Sequence, residues 1–428
     1  MAGSRLTAGD AKGWATMVGI DGPVGEALWT RADRVLPGGG VYLSRSADSA
    51  GRGTLPGFIR AAEGCRVTDV DGRTYLDFLC ANGPNLLGYR HPEVEEAARR
   101  QAAEMTSASL FPEALVDIVE VLVDRFDGMD WGLVSKNGSE VVALGVRVAR
   151  QHRQRPLAVC FTKAYHGNDP ELAPAPAEGV ATARTRDVLR VPWNDARALA
   201  DTAEEHGDQI AAIVLNPVDQ NPFEPTVSAS SEFLATIERV RQHHGALLLL
   251  DDVRHGFRMH PLGSHRALGL QPDLIALGKG LGNGYSISAL LGSEKLRTAA
   301  QANLFTSTYM FETPPMRAAL TTLAVYDRDD AFAALTSAGE RLRDGLLDAA
   351  AATGHALDWS GPVAVPMMRF ENDPGGARQI TFARHAAERG AIFHPVLNWF
   401  LSAAHTDADI DEAIDIAAEA FRLTPTES

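Results

Sequence analysis

The sequence predicts an α/β protein: a large domain with a mostly parallel, seven-stranded sheet flanked by helices, and a smaller α+β domain assembled from both termini. Three observations predict it. Short apolar runs alternate with helical stretches over about 200 residues. The runs are apolar throughout, as suits strands buried on both faces of a helix-covered sheet. After Pro314-Pro315 the pattern changes to longer helices and a short mixed segment.

The elements follow in order. Gly25 to Val35 reads as a helix, stopped at Pro37-Gly38-Gly39-Gly40. Arg66 to Phe78 reads as a β-hairpin with Asp71-Gly72 in the turn. His91-Pro92 opens a helix through Val94 and Ala103. The seven strand candidates are Trp131–Ser135, Leu157–Thr162, Val188–Val191, Ile210–Leu215, Ala246–Leu250, Leu274–Leu277 and Ser288–Leu291. Helices are expected over Met316–Asp327 and Asp330–Thr353, and an acidic helix over Ile410–Arg422. The expected domains are a flexible leader at 1–23, an N-terminal segment of the small domain at 24–80, the large domain at 81–315 and the C-terminal small domain at 316–428.

Composition narrows the function classes. The chain has 428 residues, 45% hydrophobic and 22% charged, which excludes a disordered or collagen-like chain. No apolar run reaches the roughly 18 residues of a membrane span, so no membrane partner is expected. A formal charge of −15 argues against nucleic acid, because phosphate backbones need a basic footprint. The three cysteines, Cys65, Cys80 and Cys160, have neither disulfide nor zinc spacing. With no export pattern at the N-terminus, a cytoplasmic location is the expectation. The basic residues include five lysines: Lys12, Lys136, Lys163, Lys279 and Lys295.

The chemistry concentrates between Ala246 and Gly292. The run Leu247–Leu250 ends in Asp251-Asp252-Val253, where ligands of open α/β sheets gather. Twenty-eight positions on, Ile275-Ala276-Leu277 runs into Gly278-Lys279-Gly280. A carboxylate and an uncrowded amine, each after a buried strand, suit pyridoxal phosphate chemistry: the amine forms a Schiff base, the carboxylate keeps the pyridine nitrogen protonated. Spacing alone leaves open that Asp251 caps a turn and Lys279 is a surface lysine.

The motifs together resemble the class III pyridoxal-phosphate aminotransferases, in particular the subgroup similar to glutamate-1-semialdehyde aminomutase, from about Leu36 to Phe421. In order they are Pro37-Gly38-Gly39 with Arg45, Asp69-Val70-Asp71-Gly72, Leu87-Gly88 and His91-Pro92-Glu93-Val94. Lys136-Asn137-Gly138-Ser139-Glu140 and Tyr165-His166-Gly167 follow. Asp251-Asp252-Val253 through Gly256-Phe257-Arg258, Leu277-Gly278-Lys279 and Phe305-Thr306-Ser307-Thr308 complete the series.

The resemblance implies a fold type I transferase and a set of roles. Lys279 matches the Schiff-base lysine, which as a neutral amine carries a proton to and from the substrate. Asp251 matches the partner of the pyridine nitrogen, and Val253 the residue on the ring face. Gly138 and Ser139 lie between a strand and the helix Val141 to Arg150, and their backbone N–H groups would cradle the phosphate at that helix N-terminus. Tyr165 matches the aromatic that stacks on the ring, and Asn221 the polar group near the phenolic oxygen. Thr308 matches a threonine that reaches the phosphate of the neighbouring subunit, implying a homodimer with shared active sites. Arg45 matches an arginine whose planar fork suits a substrate carboxylate. Tyr42 and Asn82 are candidate pocket walls. The implied cofactor is pyridoxal 5′-phosphate, in its pyridoxamine form during turnover, with amino-acid and keto-acid or aldehyde substrates.

Departures bear on the reaction. Where the subgroup has Asn-Ser-Gly-Thr-Glu, Asp-Glu-Val and Glu-Pro-Val, this chain has Lys136-Asn137-Gly138-Ser139-Glu140, Asp251-Asp252-Val253 and Asn216-Pro217-Val218. The last loses a carboxylate near the pocket. Tyr42 replaces a small polar residue and Asn82 an aromatic. These changes point away from the tetrapyrrole-pathway aminomutase itself. His243-His244, His255, His260 and His265 lack metal-ligand spacing, so no metal is expected; His394 and His405 receive no role. The leading reading is an aminotransferase. An aminomutase or racemase on the same cofactor and a non-catalytic binding protein on the same fold are the alternatives.

Overall fold

The computed structural model describes residues 19–37, 52–173, 179–221 and 224–426. Tyr42, Arg45, the Gly38-Gly39-Gly40 stop and the leader through residue 18 lie outside the described residues. In chain order come α1 (Pro23–Val35), β1 (Ile59–Glu63), β2 (Arg66–Asp69), β3 (Thr74–Asp77), α2 (Pro92–Glu104) and α3 (Glu113–Arg125). Then follow β4 (Trp131–Ser135), α4 (Gly138–Arg153), β5 (Leu157–Phe161), β6 (Val188–Val191), α5 (Ala196–His206) and β7 (Ile210–Leu215). Next are α6 (Ser231–His244), β8 (Leu247–Asp251), α7 (Ser264–Leu268), β9 (Leu274–Leu277), β10 (Ser288–Gly292) and α8 (Arg297–Ala302). The chain closes with α9 (Thr313–Arg328), α10 (Ala331–Ala352), β11 (Leu357–Ser360), β12 (Met367–Phe370), α11 (Ala377–Glu388), β13 (Ala391–Ile392) and α12 (Asp407–Leu423).

These elements fall into two units. One takes in the described residues up to Asn82, Gly88–Arg90 and the chain from Ala333; the other takes Gly83–Leu87 and His91–Phe332. The domain boundary expected at 315 falls inside α9, which lies whole in the larger unit. Pro314 and Pro315, read as a break, occupy the first turn of that helix, where a proline forfeits no hydrogen bond. Met316, Ala319 and Leu323 of α9 are buried, and the helix packs on α2 and α3.

The larger unit holds the seven-stranded sheet, in the order β4-β10-β9-β8-β7-β5-β6. Every strand candidate of the sequence appears in it. β10 alone runs against its neighbours β4 and β9; the remaining pairs are parallel. The leucine run of β8 shows why continuous apolar character was the signal. Leu247 and Leu249 join a core with Val141, Val142 and Val146 of α4, whereas Leu248 and Leu250 join a second core with Phe233 and Ile237 of α6. Side chains alternate faces along a strand, so a strand covered on both sides needs an apolar residue at each position. Helix ends carry local signals: the Ser230 hydroxyl accepts from Phe233 N–H at the start of α6, and Gly245 closes it at φ +69.

The smaller unit has a sheet ordered β1-β2-β3-β13, in which β13 pairs parallel with β3, and a β11-β12 ladder. The expected hairpin is β2-β3, turned at Gly72. Phe370, Phe382 and Phe421 form its aromatic core, with Phe382 and Phe421 stacked at 4.5 Å. Thr406 caps α12 through a reciprocal box with Asp409. No described helix is long and apolar enough to cross a membrane.

Candidate active site

Because β5, β7, β8 and β9 run parallel, their carboxyl ends share one edge of the sheet. β4 ends there too, since it is antiparallel to β10, which is antiparallel to β9. Tyr165-His166-Gly167 follows β5, Asn216 follows β7, Asp251 ends β8, Lys279 comes two residues past β9, and Gly138 starts the helix after β4.

Asp251 is buried, and its Oδ2 lies 2.8 Å from Nδ1 of His166, itself buried. Its Oδ1 accepts the Val253 N–H at 3.3 Å. The neighbouring carboxylate has another task. Asp252 accepts from the N–H and hydroxyl of Ser264 at 2.8 and 2.6 Å and so anchors the start of α7. Burial pushes its carboxyl up to about 6, against those hydrogen bonds. Arg254 stands half-buried nearby; burial pulls its guanidinium down to about 10, while the charges of Asp251 and Tyr165 oppose that.

Lys279 is half-buried and opens a 3₁₀ turn, Lys279–Gly282, at φ +42. A non-glycine residue in the left-handed region is strained, and such strain gathers at functional sites. Asp251 pairs with Ala276 across β8 and β9, which sets the carboxylate beside the strand that delivers the lysine. Desolvation, together with the charges of Arg254, Lys279 and Arg258, keeps the buried His255 neutral.

The start of α4 forms the third side. Glu140 accepts from the N–H groups of Lys136 and Asn137, both at 3.1 Å, and from the Ser135 hydroxyl. Burial works to raise its pKa, but these bonds leave the carboxyl below its usual range. The first amides of a helix lack intrahelical partners and favour an anion. A Cβ at Gly138 would meet Val253 Cγ1 at 2.6 Å, and one at Gly167 would collide with Ser139 Oγ. The helix start, Val253 and the Tyr165-His166-Gly167 turn thus form one close-packed cradle. Ser139 Oγ also accepts from Asn168 N–H at 3.0 Å.

The structure therefore brings together Asp251, Val253, Gly138, Ser139, Tyr165 and, on the adjacent strand end, Lys279. Tyr165 is 42% exposed, its phenol 3.2 Å from Asn168 Oδ1. Asn221 is half-buried after β7, in a stretch tied back by Gln220 N–H to Lys163 C=O at 2.7 Å. Thr308 lies exposed on the segment before α9. Asn82 belongs to the smaller unit, in the left-handed run Cys80–Gly83. Sequence reasoning missed His166 and Asn216 as site residues. Both sat inside quoted motifs, but their partners lie 85 and 51 residues away. Lys136, which heads the departing motif Lys136-Asn137-Gly138-Ser139-Glu140, pairs with Glu312 at 2.9 Å. His255 and His265 are buried, and among the described residues no cluster of His, Cys, Asp or Glu could hold a metal.

Known proteins share this arrangement of chain and fold. The family model "Aminotransferase class-III" matches residues 48–421. An aminopentol aminotransferase of Sphingopyxis macrogoltabida is 37% identical over 394 residues, covering 92% of this chain and 93% of that protein. A glutamate-1-semialdehyde 2,1-aminomutase of Syntrophobacter fumaroxidans is 31% identical over 420 residues, covering 92% and 96%. The solved FumI protein of Sphingopyxis sp. MTA144, in a form with pyridoxal phosphate, superposes with a TM-score of 0.90 at 37% identity, covering 94% of this chain and 96% of that one. Pyridoxal 5′-phosphate, the cofactor of this family, fits the donor set described: a helix start closed to any Cβ, a buried carboxylate and a half-buried amine past adjacent strands. With its family model spanning most of the sequence and a relative 37% identical over 92% of it, this chain is a class III pyridoxal-phosphate-dependent aminotransferase.

Proposed function

We propose that the enzyme moves an amino group between an amino acid and a keto acid or aldehyde, as a homodimer with shared active sites. The observation that carries this reading is the pairing of β8 with β9, which sets Asp251 and Lys279 past neighbouring strands beside the start of α4. When bound, pyridoxal 5′-phosphate supplies an aldehyde that condenses with amines and a ring that draws electrons from the substrate carbon. The amides of Gly138 and Ser139 hold its phosphate, and Val253 and Tyr165 take the two faces of its ring. Asp251 keeps the ring nitrogen protonated, and Asn221 approaches the phenolic oxygen. Lys279 Nζ anchors the cofactor and moves the substrate's α-proton. Arg45 receives the substrate carboxylate, with Tyr42 and Asn82 as further pocket walls.

The dimer reading draws support from surface chemistry. Leu110, Phe111, Leu304 and Tyr309 are 82%, 80%, 81% and 62% exposed. Phe111 meets Phe311 edge-on, and Ala108 N–H binds Phe311 C=O, so the two segments form one apolar face. Thr308 lies on it and reaches the phosphate in the neighbouring subunit's site. Three buried free thiols, Cys65, Cys80 and Cys160, favour the cytoplasm as the location.

The test is a half-reaction. Protein loaded with cofactor is given a panel of L-, D- and β-amino acids, and aminopentol, each alone. Stoichiometric keto product with pyridoxamine 5′-phosphate is expected, and none from Lys279→Ala. Aminomutase relatives make the isomerase the alternative; an isomer with no keto product would establish it instead.

A further inference from the structure

Asn216 is where this chain departs from its subgroup by losing a carboxylate, and the sequence placed that loss near the substrate pocket. The side chain is instead fully buried. Its Oδ1 accepts the Tyr165 N–H at 3.2 Å, and its Nδ2 donates to the carbonyls of Tyr165 and Asp251, each at 3.5 Å. We propose that Asn216 is a positioning residue that clamps the Tyr165-His166 turn to the end of β8, so that His166 Nδ1 meets Asp251 Oδ2.

The chemistry of the partners selects the amide. They are one N–H donor and two carbonyl acceptors. An asparagine side chain answers both kinds, with an acceptor oxygen and two N–H donors. An ionised carboxylate could accept from Tyr165 but would turn lone pairs towards both carbonyls. The clamp joins the ends of three strands, since Tyr165 follows β5, Asn216 follows β7 and Asp251 ends β8. His166 is the next residue after Tyr165, so a shift of the turn moves the imidazole off the carboxylate. The ionisable groups tied to these partners are Asp251, His166, Tyr165 and Arg254, with Asp252 and Cys160 coupled to the charge of Asp251.

The inference rests on the proposed site for its effect on cofactor, but not for the clamp itself, and the experiment separates the two. In Asn216→Ala, hydrogen exchange at the Tyr165 and His166 amides should quicken at least about tenfold, with β8 amides unchanged. Unchanged protection at Tyr165 would overturn the clamp, whatever the enzyme's activity. Asn216→Asp keeps the shape and loses the donors. Its affinity for pyridoxal 5′-phosphate, read by visible absorbance, should fall about tenfold at about pH 8, from two hydrogen bonds lost. It should recover most of that at about pH 6, where a buried carboxyl regains a proton and a donor. An equal loss at both pH values, or none at either, contradicts the positioning role. Cofactor binding absent from the wild type would count against the proposed site and leave the exchange result to decide the clamp.

Discussion

The imidazole of His166 and the carboxylate of Asp251 meet at 2.8 Å with both side chains buried, although 85 residues separate them in the chain. A buried carboxylate without its donor is costly, so His166→Leu should lower unfolding stability by about 1–3 kcal/mol. Chemical denaturation measures it. Stability equal to the wild type would mean that the pair contributes nothing.

Gly138 should not tolerate a side chain. Its Cβ would lie 2.6 Å from Val253 Cγ1, and a β-branched neighbour with one preferred rotamer cannot turn away freely. Gly138→Ala should cost about 1–3 kcal/mol and weaken cofactor binding, with Gly138→Ala/Val253→Ala recovering most of the stability. Denaturation curves of the single and double variants check this; no recovery in the double variant would place the strain elsewhere.

Two buried histidines of the smaller unit set an acid limit. Burial holds the imidazoles of His394 and His405 down to about 4. The unfolded chain protonates them near 6.5, so between about 6.5 and 4 it binds more protons than the folded one, and falling pH favours unfolding. Stability should be full above about pH 7 and drop by roughly a few kcal/mol towards pH 4. Denaturant midpoints across that range test it, and His394→Gln with His405→Gln should flatten the decline.

Lys136 Nζ lies 2.9 Å from Glu312, joining a residue two positions before the α4 start to the segment before α9. Lys136 is nearly covered and Glu312 is half-exposed, so Glu312→Gln should cost about 1 kcal/mol, less in high salt. Faster proteolysis between Leu304 and Phe311 is the expected readout. Unchanged cleavage would show that the pair does not hold that segment.

Much of the fold was legible because its signal is local. A strand covered on both faces reads as an apolar run, and all seven runs became strands of one sheet. Helix α3, whose buried Ala114, Ile118 and Leu122 make a clear stripe, has no counterpart among the elements expected from the sequence. The reversed direction of β10 was illegible, because an apolar run carries no sign of which way its neighbours run. Asp251 and Lys279 stood out because each follows such a run. His166 and Asn216 did not, because what makes them part of the site is a partner brought in from elsewhere in the chain.

By itself, then, the sequence determined the sheet's strands and, through its ordered motifs, the family and its cofactor. Those depend on short-range pattern and residue type. Tertiary structure alone decided what the carboxylates do: Asp251 was delivered to His166 and Asp252 to Ser264, though the two are neighbours. It also turned Asn216 from a missing charge into a three-way hydrogen-bonded clamp. The reason is that parallel strands bring their carboxyl ends together only when the whole sheet has formed, so the partners at that edge are set by packing and not by spacing.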